Sequence, residues 1–290
     1  MKQTRIKRDF AVLYAVILLA ALHPHKLAAD SQSGHVRTKI VADVETVQPD
    51  SPFWLGVYFD IDDSWHLNWT NPGDAGLAPS IEWKLPPGFE TSELVWPFPR
   101  MYRVGPLVIY GYDKELLLIT RVTPPPDLKP SGRIEVGADV DWLACADACV
   151  PGASELSATI TVGASPPKPD KKWQAAFEQA QRDEPAPAGD WQVQAFIDDE
   201  QRYVLEVRSN NPDFIQISGC RFYPHATDVI ENAQSQLFSP CHGGFDLMLT
   251  RAHMSTELPD RINGVLVAEP GWDRSGKRRA ISVDVLLRPR

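Results

Sequence analysis

Two cysteines only four residues apart, Cys145 and Cys149, separate two segments that each read as a β-strand, and this pattern constrains the chain more than any other. Arg133 to Leu143 is rich in branched residues, and Ser154 to Val162 alternates apolar with polar positions. The two segments should therefore pair as a hairpin with the cysteines at its tip. Four residues of extended strand would separate the Cα atoms by about 13 Å, whereas a disulfide needs roughly 4.4–6.8 Å. Ala146-Asp147-Ala148 must turn tightly if the sulfurs are to bond, and Pro151-Gly152 then starts the return strand. Closing so small a loop removes little chain entropy, so stability is a weak reason for the bond. An exposed, small loop is instead where an incoming thiolate can reach one sulfur, which points to an exchangeable disulfide.

The chain holds two further cysteines, Cys220 and Cys241. An even number suits an oxidising compartment, and the N-terminus suggests one. Lys2, Arg5, Lys7 and Arg8 precede an apolar run from Phe10 to Leu22, too short for a membrane span but of the length of a signal peptide core. Leu27-Ala28-Ala29 offers a cleavage site, so residues 1–29 are expected to be removed and the mature chain exported, with no stable membrane span. Loss of that segment would shift the formal net charge from −9 to about −13. So acidic a chain is a poor partner for nucleic acid.

Close spacing favours a Cys145–Cys149 pair, leaving Cys220 with Cys241 as a structural disulfide around the longer loop Arg221 to Pro240. Alternatives stay open: Cys145 and Cys149 could merely staple a hairpin, and Cys241, beside His242, could form a second redox or metal site. Metal ligation at the first pair is disfavoured because the four methionines are scattered and no histidine is near Cys145 in sequence, although folding could deliver His66, His225 or His242. No metal site and no cofactor are expected. Asp147 would raise a neighbouring thiol pKa, so activation must come from elsewhere. There is no Gly-rich phosphate loop, His-Glu-x-x-His helix or nucleophile elbow.

Twenty-six prolines, nine tryptophans and short Val/Ile/Thr runs indicate an all-β chain of two sandwiches. Strands are expected at His35 to Val47, Phe53 to Ile61, Trp65 to Thr70, Leu116 to Val122 and in the cysteine hairpin, with a turn at Asn71-Pro72-Gly73-Asp74. Residues 30–163 form the first domain in this reading. Residues 164–189 form a Pro-rich connector with one helix, about Lys171 to Arg182, whose Trp173, Phe177 and Ala180 share a face. Residues 190–290 form a second, smaller sandwich with strands at Trp191 to Ile197, Tyr203 to Val207, Phe245 to Thr250, Val265 to Ala268 and Ile281 to Leu287.

Several motifs together resemble the periplasmic N-terminal region of the DsbD/ScsB family of membrane electron transporters. They are Trp65-His66-Leu67-Asn68-Trp69-Thr70-Asn71-Pro72-Gly73-Asp74-Ala75-Gly76, Ile81-Glu82-Trp83, Trp96-Pro97-Phe98-Pro99, Gly105-Pro106-Leu107, Tyr110-Gly111-Tyr112 and Cys145 to Gly152. The resemblance implies immunoglobulin-like sandwiches and a periplasmic thiol:disulfide interchange module, a protein-disulfide reductase in type, that relays reducing equivalents to oxidised partners. By analogy Cys149 forms mixed disulfides and Cys145 resolves them, while a cap loop near Met101 to Gly105, with Tyr102 and Arg103, shields the pair. Implied partners are thioredoxin-like exchange proteins. The related transporters continue into a multi-span membrane domain and a thioredoxin-like domain, whereas this sequence ends at Arg290, which leaves three expectations open: a separate membrane electron transporter as reductant, a stand-alone relative with a changed role, or a sequence that is part of a longer chain. Two other functions compete: a binding module that uses the aromatics of Trp96 to Tyr112 as a contact surface, and a copper-tolerance protein that handles metal.

Overall fold

The computed structural model describes residues 31–290 except 131, 212–214 and 256. The expected signal peptide, residues 1–29, lies outside the described residues. In chain order the first strands are β1 (Ser31–Ser33), β2 (Val36–Ala42), β3 (Thr46–Val47), β4 (Phe53–Ile61), β5 (His66–Gly73), β6 (Ser80–Lys84) and β7 (Glu90–Thr91). Next come β8 (Arg100–Val104), β9 (Leu107–Asp113), β10 (Glu115–Thr123), β11 (Arg133–Cys145), β12 (Cys149–Val162) and the helix α1 (Gln174–Asp183). The C-terminal part adds β13 (Trp191–Ile197), β14 (Tyr203–Ser209), β15 (Gly219–Pro224), β16 (Leu237–Cys241), β17 (Gly244–Leu249), β18 (Arg261–Glu269) and β19 (Ala280–Pro289).

Two sheets form the N-terminal sandwich, ordered β1-β2-β4-β10-β7 and β3-β12-β11-β5-β9-β8, with β6 also pairing β11. Alternation decides which faces meet. Val136, Ala138, Val140, Trp142 and Ala144 of β11 point inward, against Leu55, Val57 and Phe59 of β4 and Leu118 of β10, in one apolar cluster. Burial of a Val, Leu or Phe side chain stabilises by about 1.5–3 kcal/mol, so this cluster dominates over the solvent-screened ion pairs at the surface.

The run Leu116-Leu117-Leu118-Ile119 breaks the alternation because β10 is covered on both faces. Leu116 and Leu118 enter the sandwich core, while Leu117 and Ile119 pack with Val41 against Phe177 and Ala180 of α1. The helix starts later than expected. Asp170 accepts the backbone N–H of Lys172 at its side chain and those of Trp173 and Gln174 at its carbonyl, so Lys171 to Trp173 form a turn ahead of Gln174. Trp173 is left beside the helix, tilted on Tyr58 with ring centroids 5.1 Å apart. Glu184 is extended before Pro185, which ends the helix.

The connector is stitched to both halves of the molecule. Asp170 N–H donates to the Asp43 carbonyl before the helix, and Ser282 N–H donates to the Ala186 carbonyl after it. The third sheet runs β15-β18-β19-β13-β14-β17-β16 around a second apolar cluster that includes Phe222, Phe245, Leu247, Leu266 and Ile281. Every strand expected after the helix is present, and β15 and β16 are additional. Tyr223, Val265 and Ala280 of this part join the apolar cluster of the N-terminal sandwich, so the two parts share a packed boundary.

Candidate functional site

The hairpin of β11 and β12 keeps register from Arg133 opposite Thr161 to Cys145 opposite Cys149. At its tip the cysteines are bonded, with an S–S distance of 1.99 Å and Cα atoms 4.1 Å apart. Ala146 N–H donates to the Ala148 carbonyl at 3.0 Å, which closes the turn between them. Trp142 anchors the approach from below. It lies edge-on to Phe59 and crosses Gly152, where a Cβ would stand 2.3 Å from Trp142 Cε2, so only glycine fits opposite this indole. The two sulfur-bearing residues differ in access: Cys145 is 4 % exposed, whereas Cys149 is exposed.

On its other edge the tip of β11 pairs with β5, with Ala144 opposite Leu67 and Cys145 opposite His66. His66 in turn stands opposite Asp113 of β9. Directly opposite residues in antiparallel strands share a face, so Cys149, Cys145, His66 and Asp113 form one row across four strands. His66 is 5 % exposed, its Nε2 has no hydrogen-bond partner, and burial lowers its pKa below the usual imidazole range. Tyr102 of β8 stacks on the imidazole, with ring centroids 5.7 Å apart and planes 11° from parallel. Burial pushes the Tyr102 phenol up, so it is un-ionised at neutral pH. A small cavity of about 140 Å³ opens beside the pair, lined by Asp63, Ser64, Trp65, His66, Tyr102, Asp113 and Lys114.

The structure thus brings Tyr102 to the His66 flank of Cys145 but turns Arg103 elsewhere. Arg103 Nη2 donates to the Ala233 carbonyl at 3.1 Å, tying the β8–β9 hairpin to the C-terminal part. The sequence offers His66 only as a possible metal ligand, since its pairing with Cys145 is set by strands distant in the chain. The available signal is its position at the start of β5, on the face opposite to the core residues Leu67 and Trp69.

Two expectations need correction. Cys220 and Cys241 form no disulfide; both thiols are free. Cys220 lies on β15, where burial pushes its thiol pKa well up, and Cys241 sits exposed at the β16–β17 turn, so one sulfur is desolvated while the other faces solvent. The strands β15 and β16 also stand at opposite ends of the sheet order. The aromatics of Trp96 to Tyr112 do not make an open contact surface either. Tyr110 and Tyr112 are buried, and the Tyr112 hydroxyl donates to the Pro97 carbonyl at 2.6 Å.

The segment Asn71 to Asp74 is more than a turn. It continues β5 with a register shift between Asn68 and Gly73, and it binds the C-terminal part. Asn71 Nδ2 donates to the carbonyls of Pro224 and Ala226 at 2.8 and 2.9 Å, and Asp74 accepts from Asn232 Nδ2 at 2.8 Å. The Tyr110 hydroxyl donates to Asn232 Oδ1, and Trp69 meets the rings of Tyr223 and His225.

Residues 36–161 match the family described as thiol:disulfide interchange protein DsbD, N-terminal. The matched region therefore holds β2 to β11 and nearly all of β12, with both Cys145 and Cys149. Among solved structures, the N-terminal periplasmic domain of ScsB from Proteus mirabilis aligns with a TM-score of 0.55 at 16 % identity, covering 87 % of this chain and 93 % of that one. This likeness extends the shared fold through the C-terminal part. The sporulation control protein Spo0M from Bacillus subtilis aligns over 87 % of this chain and 90 % of its own at 9 % identity, with a TM-score of only 0.24. No curated protein matches the sequence. Among the described residues no helix is long and apolar enough to cross a membrane.

Proposed function

We propose that this chain is a periplasmic thiol:disulfide interchange module that relays reducing equivalents to oxidised partner proteins through Cys145 and Cys149. The observation that carries this reading is the unequal access of the bonded pair, buried at Cys145 and exposed at Cys149. Exchange proceeds by in-line attack on or by an accessible sulfur, so the exposed Cys149 is the residue to form mixed disulfides and the sheltered Cys145 the one to resolve them. Tyr102, stacked over the His66 flank, serves as the cover of the pair. Residues 30–163 form the redox domain, 164–189 the connector and 190–290 a second domain. Partners in this reading are thioredoxin-like exchange proteins, with a membrane electron transporter as reductant.

Trapping tests it. Cys145→Ser leaves Cys149 without a resolving thiol, so the variant should accumulate mixed disulfides that disappear on reduction, and mass spectrometry should place every link at Cys149. Absence of such adducts with an oxidised thioredoxin-like protein, while the wild-type chain also fails to reduce it, would refute the relay.

A further inference from the structure

We propose that His66 is the proton acceptor for the Cys145 thiol and thereby speeds the step in which Cys145 closes on a mixed disulfide held at Cys149. This inference rests on the exchange function proposed above and adds to it a residue and a step.

The geometry supplies the reason. Cys145 is the central member of a row, with Cys149 directly opposite on β12 and His66 directly opposite on β5. Side chains so placed have Cβ atoms about 4.5–5.5 Å apart. While the disulfide is closed, Cys145 Sγ is held toward β12. Once it opens, rotation about the Cα–Cβ bond carries the sulfur toward β5. There it meets a nearly inaccessible imidazole whose Nε2 has no partner, and such buried polar atoms are rare enough to demand a reason.

The same row explains why an acceptor is needed. A thiol as sheltered as Cys145 is costly to ionise, and only the thiolate attacks a disulfide. The other groups around His66 do not serve. The Tyr102 phenol is held protonated, Asp63 and Lys114 are exposed to solvent at the cavity wall, and Asp113 lies one strand beyond and faces Arg100 at 3.6 Å. Asp147, in the turn, is an exposed anion that opposes thiolate formation. Because burial holds His66 neutral at pH 7, its ring has a free lone pair.

The step balances as follows. Cys149 loses its proton to water, its thiolate breaks the partner's S–S bond, and the first partner sulfur leaves and is protonated by water. The Cys145 proton then moves to His66. The electron pair left on Cys145 sulfur forms the Cys145–Cys149 bond, the Cys149–partner bond breaks, and the departing thiolate takes the proton from His66. The chain loses two electrons and two protons, and the partner disulfide gains both.

The test mixes the reduced full chain with a chromogenic aromatic disulfide, whose two thiolates appear in successive phases. In the wild type, the second phase should level off between about pH 6.5 and 8, where His66 is already neutral. In His66→Gln it should be at least about tenfold slower at pH 7 and climb about tenfold per pH unit toward the ordinary thiol range. A variant slowed equally at every pH, or unchanged, overturns the proposal and leaves His66 a packing residue. So does a wild-type second phase that climbs steadily across that interval, a result that needs no variant to fold. If no second thiolate is released at all, the exchange reading itself fails, and the role of His66 falls with it.

Discussion

Asn71 donates its side-chain amide to the main-chain carbonyl of Pro224 at 2.8 Å, joining residues 153 positions apart in the chain. The same amide reaches the Ala226 carbonyl, and Asn71 Oδ1 accepts the Gly73 N–H, so one buried carboxamide bends β5 and holds the C-terminal part against it. Asn71→Ala leaves these carbonyls desolvated without donors and should destabilise the chain by about 2–3 kcal/mol. Asn71→Asp should do no better, since a carboxylate cannot donate. Denaturant midpoints at constant slope would measure both.

Gly152 and Trp142 occupy the same space from opposite strands below the sulfur bond. Gly152→Ala should displace the indole and cost about 1–3 kcal/mol, the range for overpacking a core. Loss of near-ultraviolet circular dichroism from Trp142, together with a lowered Tm, is the expected signature.

Free thiols give a second handle. In the oxidised native chain an alkylating reagent should modify Cys241 and spare Cys220, whose thiol is held protonated by burial. After reduction Cys149 should react well before Cys145. Peptide mapping of alkylated sites under native conditions checks both orders, and equal labelling of Cys145 and Cys149 would contradict the assigned roles.

Acid stability should follow the buried imidazoles. Burial lowers the pKa of His66 and of His225 from the model-peptide value of 6.5. The unfolded chain therefore binds protons first as pH falls through about 6.5, and stability that is complete above that value declines until the folded imidazoles also titrate. The double variant His66→Gln, His225→Gln should have a flatter profile between about pH 7 and 5 in urea unfolding.

Much of the N-terminal sandwich was legible because the cysteine hairpin alternates and the other strands are apolar, β-branched runs bounded by turn residues. Phe53 to Ile61 came out residue for residue as β4, and the cysteine hairpin as β11 and β12, since period-two patterning and a tight turn are local signals. What the sequence hid is non-local. The strand β15 reads Gly-Cys-Arg-Phe-Tyr-Pro and β16 ends in Ser-Pro-Cys, so neither carries an alternating run, and each is fixed by pairing with β18 or β17. Asn-Pro-Gly-Asp carries strong turn chemistry, yet there the chain bulges and stays in β5 because Asn71 and Asp74 find partners across the boundary. The absence of a bridge between Cys220 and Cys241 was likewise invisible, because cysteine parity says nothing about which sulfur ends in a dry strand and which in a solvated turn.

The row of cross-strand partners from Arg133 to Cys145 makes the hairpin a beam whose root is embedded in the core and whose tip carries the sulfurs. Making or breaking a bond at that tip should leave every rung behind it in place. The oxidised and reduced proteins should then be one body with two different tips, and a docking partner would read the redox state from that tip alone.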